Sequence, residues 1–319
     1  MIRYSHRPLL SVAFIFMATL CSCIYEDMPP CEVGEVEITI DNDWELAPDA
    51  APEGMAYMFF QNGVRTPWRF DFPGRDAGKV SLPPGEYRFV MFNDDTSGIV
   101  FKTMADGMPF ATTSSEKIQL DGHDVDVFET PDMMWSTFVR EICVGIEGVS
   151  YTSGDTVAGG TGAYLLKTMP RQITPEYKVK VLHIDNLQGV AAMKGLLSGM
   201  ADGMTLYEEI PSENEAKVCF SPYIAPDSTV IAGFNTFGLP SHRKNSNELR
   251  LYFLLSDSRL VCHIFDVTDR VMSSPDPMHV EIVIDSISLP FAPPPLAPGV
   301  FDPTVAGSVS YTHLTLPTK

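Results

Sequence analysis

The chain has 319 residues, in which 22 Lys and Arg face 41 Asp and Glu, for a formal net charge of −19. Nucleic-acid binding rests on cations that neutralise phosphates, so a field of this sign excludes such a partner; Arg243-Lys244 stands nearly alone as a basic pair. Without its two ends the chain keeps about 290 residues, enough for two domains with real cores or one large one.

Arg3 and Arg7 lead into an apolar run over residues 9–20 that is too short to cross a bilayer comfortably, the pattern of a secretory n-region and h-region. The run stops at Leu20-Cys21-Ser22-Cys23, which resembles the bacterial lipobox. Cys23 fits with Leu20 and Ser22, whereas Cys21 would put Leu20 at the small-residue position. The resemblance implies a signal peptide over residues 1–22 and acylation of Cys23 by palmitate-like chains. Residues 23–34 then form a lipidated tether that holds the protein to a membrane more firmly than one acyl chain could. A plain secretory signal and a short membrane anchor are the other readings. Glu26 and Asp27 follow at once, and resemble the signal that sends lipoproteins of Bacteroides-type bacteria to the outer face of the outer membrane; a solvated tether accounts for them equally.

From residue 35 the chain alternates. Val36, Ile38 and Ile40 share one face of a half-buried strand, and the stretches 56–60, 68–72, 79–82 and 87–92 are read as strands too. Gln61-Asn62-Gly63, Pro73-Gly74-Arg75-Asp76 and Pro83-Pro84-Gly85 supply turn chemistry between them. The spacing predicts a first β-sandwich over residues 35–152. The glycines of residues 153–162 predict a flexible loop, within a boundary over 153–170. A second β-sandwich follows over 171–288, with strands at 177–182, 216–220, 248–255, 260–265 and 279–284. Residues 186–204 are ambiguous, because their apolar spacing suits a helix and Gly189, Gly195, Gly199 and Gly203 oppose one. The Pro-rich segment 289–308 is expected to be extended. Residues 309–319 resemble a translated sequencing adapter; they are read as foreign and expected to pack against nothing, with the natural C-terminus missing.

Several pieces carry a wider resemblance: residues 44–55, 69–78, 82–87 and 92–96, then Leu197-Ser198-Gly199-Met200-Ala201, Asn235-Thr236-Phe237-Gly238 and Phe265-Asp266-Val267-Thr268. In that order they resemble a family of Bacteroidales lipoproteins related to fimbrillin-like anchor and tip subunits. The resemblance implies an all-β chain of two tandem transthyretin-like sandwiches on a lipid tether. It implies a surface role in fimbria-like assembly or adhesion, with fimbrial subunits as partners by β-strand addition, and it supplies no catalytic residues.

The residues themselves point to no enzyme and no cofactor. Gly195-Leu196-Leu197-Ser198-Gly199 has the wrong spacing for a nucleophile elbow. No paired histidine motif exists, and Asp41, Asp43 and Asp49 lack the EF-hand pattern, so no metal site is assigned. Cys31, Cys143, Cys219 and Cys262 are scattered without a C-x-x-C, and their pairing stays open. Trp44, Trp68 and Trp135 are the candidate contacts for a glycan or other small ligand, the alternative function, with core packing as the competing role.

Overall fold

The structure, a computed structural model, describes residues 34–64, 66–105, 107–120, 123–153, 156–242, 246–295, 299, 301–302 and 308–314. The chain divides into two units at residues 35 and 36, and every strand belongs to the second of them, residues 36–319. In chain order the strands are β1 (Val36–Asn42), β2 (Gly54–Gln61), β3 (Trp68–Pro73), β4 (Lys79–Leu82), β5 (Gly85–Asn93), β6 (Ile99–Thr103), β7 (Pro109–Thr113), β8 (Ser115–Leu120) and β9 (His123–Glu129). Then come β10 (Trp135–Gly145), β11 (Gly148–Ser153), β12 (Thr156–Thr161), β13 (Leu165–Thr168), β14 (Arg171–Gln172), β15 (Glu176–Asp185), β16 (Val190–Ala201), β17 (Gly203–Thr205) and β18 (Ile210–Pro211). The chain continues with β19 (Glu215–Phe220), β20 (Tyr223–Ile224), β21 (Val230–Asn235), β22 (Glu248–Leu255), β23 (Arg259–Asp266), a short helix α1 (Thr268–Met272), β24 (His279–Ser288) and β25 (Ser308–Leu314).

The first sandwich lays a sheet of order β13-β1-β4 against one of order β12-β11-β10-β5-β2-β3. The alternation of β1 buries Val36, Ile38 and Ile40, which meet Tyr57, Phe59 and Phe89 across the core. Strands β2 and β5 do not alternate, because both their faces are covered. Tyr57, Phe59, Phe89 and Met91 enter the first core, while Ala56, Phe60, Val90 and Phe92 enter a separate cluster on the other face. A four-stranded sheet of order β18-β17-β7-β6 contributes to that cluster with Ile99 and Ala111 from the first half and Met204 from the second, joined by Leu206 of the β17–β18 turn. Each half of the chain thus gives two strands to one sheet.

The second sandwich packs β20-β21-β15-β24 on β25-β23-β22-β16-β19-β9-β8. Phe220 and Phe234 stack at its centre with ring centroids 4.1 Å apart, and Tyr177 extends the stack at 5.8 Å from Phe234. Hairpin β8–β9 precedes the expected boundary, yet it joins this sheet, because β9 pairs parallel with β19 at Phe128 and Val218. The Pro-rich strap runs over the sandwich's end without forming a strand at Pro293-Pro294-Pro295. Asn186 Nδ2 donates to Leu289 O at 2.7 Å and Gly299 N to Ala191 O at 3.0 Å, so the strap's carbonyls and amides are partly satisfied by the sandwich.

Two expectations are corrected, at residues 153–162 and after Val309, and the ambiguity at residues 186–204 is resolved. Residues 153–162, read as a loop, carry strand β12, paired with β11 from Ser153–Thr156 to Gly148–Thr161. A Cβ on Gly159 would stand 2.1 Å from Val149 O, and φ there is +80°, so this glycine serves a close backbone approach rather than flexibility. Residues 186–204 form a single 3-10 turn at Leu187–Gly189 and then β16, where Gly199, at φ +73°, absorbs a register shift between Leu197 and Met200. The segment after Val309, expected to pack against nothing, is the edge strand β25, parallel to β23 from Arg259–Ser308 to Phe265–Leu314. An open edge offers N–H and C=O groups to any extended chain whatever its side chains, which is why a foreign-looking sequence can pair there. Among the described residues, Cys143, Cys219 and Cys262 form no disulfide.

Candidate functional site

Cys23, Glu26 and Asp27 lie outside the described residues. The three tryptophans all pack against the first core. Trp44 is 8% exposed; its indole N–H donates to Arg75 O at 3.1 Å, and the Arg75 guanidinium lies 5.1 Å above the ring. Arg75 Nη1 in turn donates to Pro48 O at 3.0 Å, and Asn42 Nδ2 donates to Tyr57 Oη at 2.6 Å. Burial pushes the Tyr57 hydroxyl up to about 12 against the lowering effect of that Asn42 bond. Trp68 and Trp135 are half-buried at the rims of the same core. Asn93, buried at the end of β5, accepts from Trp135 N at 2.8 Å and donates to Met133 O at 3.2 Å, which fixes the start of β10. The structure therefore gathers residues 44–55, 69–78 and 92–96 around one corner, tied further by Gly74 N donating to Glu53 O at 2.8 Å and Glu53 N donating to Asp95 Oδ2 at 2.5 Å.

Between the halves, the turn from β17 to β18 presses on the outer face of β10. Tyr207 meets Phe138 at 5.7 Å between centroids and has Arg88 over its ring. Glu208 Oε1 pairs with Arg140 Nη2 at 3.0 Å, and the almost buried Glu209 pairs with Arg171. Burial raises the Glu209 carboxyl, partly offset by the Arg171 charge. Both glutamates hold left-handed backbone, at φ 68° and 55°, a strain that the surrounding contacts must hold in place.

The rim at β23 was not singled out by its sequence as a site. The strand is buried on both faces: Val261 and Phe265 enter the second core, and Leu260, Cys262 and Ile264 enter a cluster on the outer face. His263, 3% exposed, sits among the rings of Phe253 and Phe265, with centroids at 6.0 and 6.4 Å. Neither of its ring nitrogens has a hydrogen-bond partner, and burial lowers its pKa. The run Leu260-Val261-Cys262-His263-Ile264-Phe265 signals a strand covered on both sides, which would have placed His263 indoors. Among the described residues no group of three or more His, Cys, Asp or Glu is placed to hold a metal, and no helix is long and apolar enough to cross a membrane.

The sequence pattern of Domain of unknown function (DUF5119) matches residues 22–221. The chain belongs to the DUF5119 family. No curated protein matches it. Among solved structures, a candidate adhesin from Bacteroides ovatus ATCC 8483 shares its fold at TM-score 0.57 and 18% identity, over 91% of this chain and 99% of that one. A second candidate adhesin from Bacteroides ovatus aligns at TM-score 0.50 and 10% identity, over 83% of this chain and 90% of that one. The fimbrial anchor protein Mfa2 from Porphyromonas gingivalis aligns at TM-score 0.45 and 14% identity, over 78% and 90% of the two chains. In this DUF5119 member the family match spans the shared four-stranded sheet and the β9–β19 pairing, and ends before β22 and β23.

Proposed function

We propose that this DUF5119 protein is a non-enzymatic surface lipoprotein, held to the outer membrane through Cys23, that serves as a fimbria-like anchor or accessory adhesion subunit. The observation that carries the reading is the β23 rim, where Ser308–Leu314, foreign-looking from Val309 on, pairs with Arg259–Phe265. A rim that accepts a strand through backbone alone is suited to partners that add one, with the pockets between alternate side chains giving selectivity. The fold shared with candidate adhesins supports the same reading.

Affinity capture of the tagged chain from detergent-extracted cells should recover a fimbrial subunit, and photocrosslinkers at Arg259 and Asp266, the two ends of β23 that are not buried, should mark one extended segment of it. Removing residues 308–319 should raise the crosslinking yield, because β25 competes for that rim. Capture without a fimbrial subunit, or crosslinks unaffected by the deletion, would overturn the proposal. For the anchor, Cys23→Ala should abolish labelling by a fatty-acid probe and release the protein from membranes, while Cys21→Ala should leave both intact. Equal labelling of the two variants would remove Cys23 as the acylated residue.

A further inference from the structure

The outer face of the second sandwich carries a cavity of about 220 Å³ built by four neighbouring strands. Register puts Leu196 of β16 opposite Cys219 of β19 on one side and Arg250 of β22 on the other. Leu196 and Val125 of β9 give the cavity an apolar floor, and Ser198 of β16 adds a hydroxyl. Its charged walls are Lys217 on β19 and Glu248 and Arg250 on β22. Lys194, one step along β16 on the same face, bears on the Cys219 thiol. In the lining itself Lys217 and Arg250 outnumber Glu248, a local excess of one positive charge in a chain whose net charge is −19, while Lys194 shares the neighbourhood of Cys219 with Glu116 and Glu129.

Arg250 is also held in place. Its Nε donates to Glu248 Oε1 at 2.5 Å; burial works against its charge, but the bonds from Glu248 and Tyr252 outweigh burial and keep it firmly protonated. Glu248 N donates to Ser198 Oγ at 3.0 Å, which ties the two strands beneath the charges. A bare inorganic anion would meet Glu248 as well as the cations. A sugar ring with a carboxylate suits the whole set: its acid group faces Lys217 and Arg250, its hydroxyls donate to Glu248 and Ser198, and its C–H face lies on Leu196 and Val125. The volume matches one pyranose ring and falls below the usual few hundred Å³ of larger ligand pockets.

We propose that this cavity binds a single carboxylated sugar residue, such as a hexuronate. Such binding is a separate activity from anchoring: it uses side chains of β9, β16, β19 and β22 on the outer face of the sheet, whereas the β23 rim offers its backbone edge. Saturation-transfer NMR and titration calorimetry on the full chain, with glucuronate, glucose and acetate as probes, test it. Glucuronate should bind with a millimolar dissociation constant, and glucose and acetate at least about tenfold more weakly. Lys217 is exposed, so Lys217→Gln should leave the melting temperature unchanged and weaken glucuronate by about tenfold. Ser198→Ala should weaken it less. Equal binding of glucose and glucuronate, equal binding of acetate and glucuronate, an indifferent Lys217→Gln variant, or no binding by any probe would each overturn the assignment.

Discussion

His263 is a polar ring in an aromatic setting, and its consequences are measurable. The unfolded chain takes up a proton near the ordinary histidine pKa, while the folded chain, whose value is lowered by burial, resists it. The contribution is therefore whole above that ordinary value and is lost as pH falls through it towards the folded value. His263→Phe should flatten this part of the acid slope and raise stability near pH 6 by about 1–3 kcal/mol, since two unpartnered ring nitrogens leave the core. Urea unfolding of both proteins at pH 5.5 and pH 8 checks the sign; an unchanged difference between the two pH values would refute it. Trp44 is the second residue whose role depends on burial. Trp44→Ala should cost about 3–5 kcal/mol in denaturant unfolding, and the half-buried Trp68→Ala clearly less. Sequence reasoning left these tryptophans between ligand platform and core, because a ring has the same composition in either place. Only the Arg75 carbonyl and guanidinium, more than thirty positions away, distinguish the two for Trp44.

Among elements, those with a period of two were legible and those with glycines were not. Strand β1 declares its inward face through Val36, Ile38 and Ile40, and the unbroken apolar runs of β2 and β5 correspond to strands covered on both faces. Glycine, by contrast, marks loops, bulges and close approaches alike. At Gly159 it permits β12 to lie against β11, and at Gly199 it lets β16 shift register. Gly159→Ala should destabilise hairpin β11–β12 by about 1–3 kcal/mol, seen as faster amide exchange over Gly148–Ser153 and Thr156–Thr161 with little change in the second sandwich. Faster exchange spread evenly through the molecule would count against this local role. The cavity with Lys217 and Arg250 was equally hidden, since its residues come from four strands that the sequence separates widely.

At the scale of the whole molecule the class of fold was legible, while the division of labour between its halves was not. Local periodicity reveals a strand but does not name its partner; β9 finds β19 and β7 finds β17 only through long-range pairing. The turn that carries Tyr207, Glu208 and Glu209 then fastens the second half onto β10. A chain limited to residues 36–172 should accordingly fail to give a cooperative unfolding transition, where the full chain gives one. A sharp transition in that fragment would show that its strands manage without their later partners.

The pairing of early strands with late ones sets a clock on biogenesis. A polypeptide emerges amino-terminus first, so β7 and β9 are available well before the ribosome has made β17 and β19. During that delay their edges stand bare, and bare edges recruit neighbouring chains. Long-range strand pairing is also slow in its own right, since loop closure must precede any gain from contact. The hazard this protein faces is thus set by waiting time, and a chaperone that shields residues 99–129 until the later strands arrive would protect it more than any added stability of the finished fold.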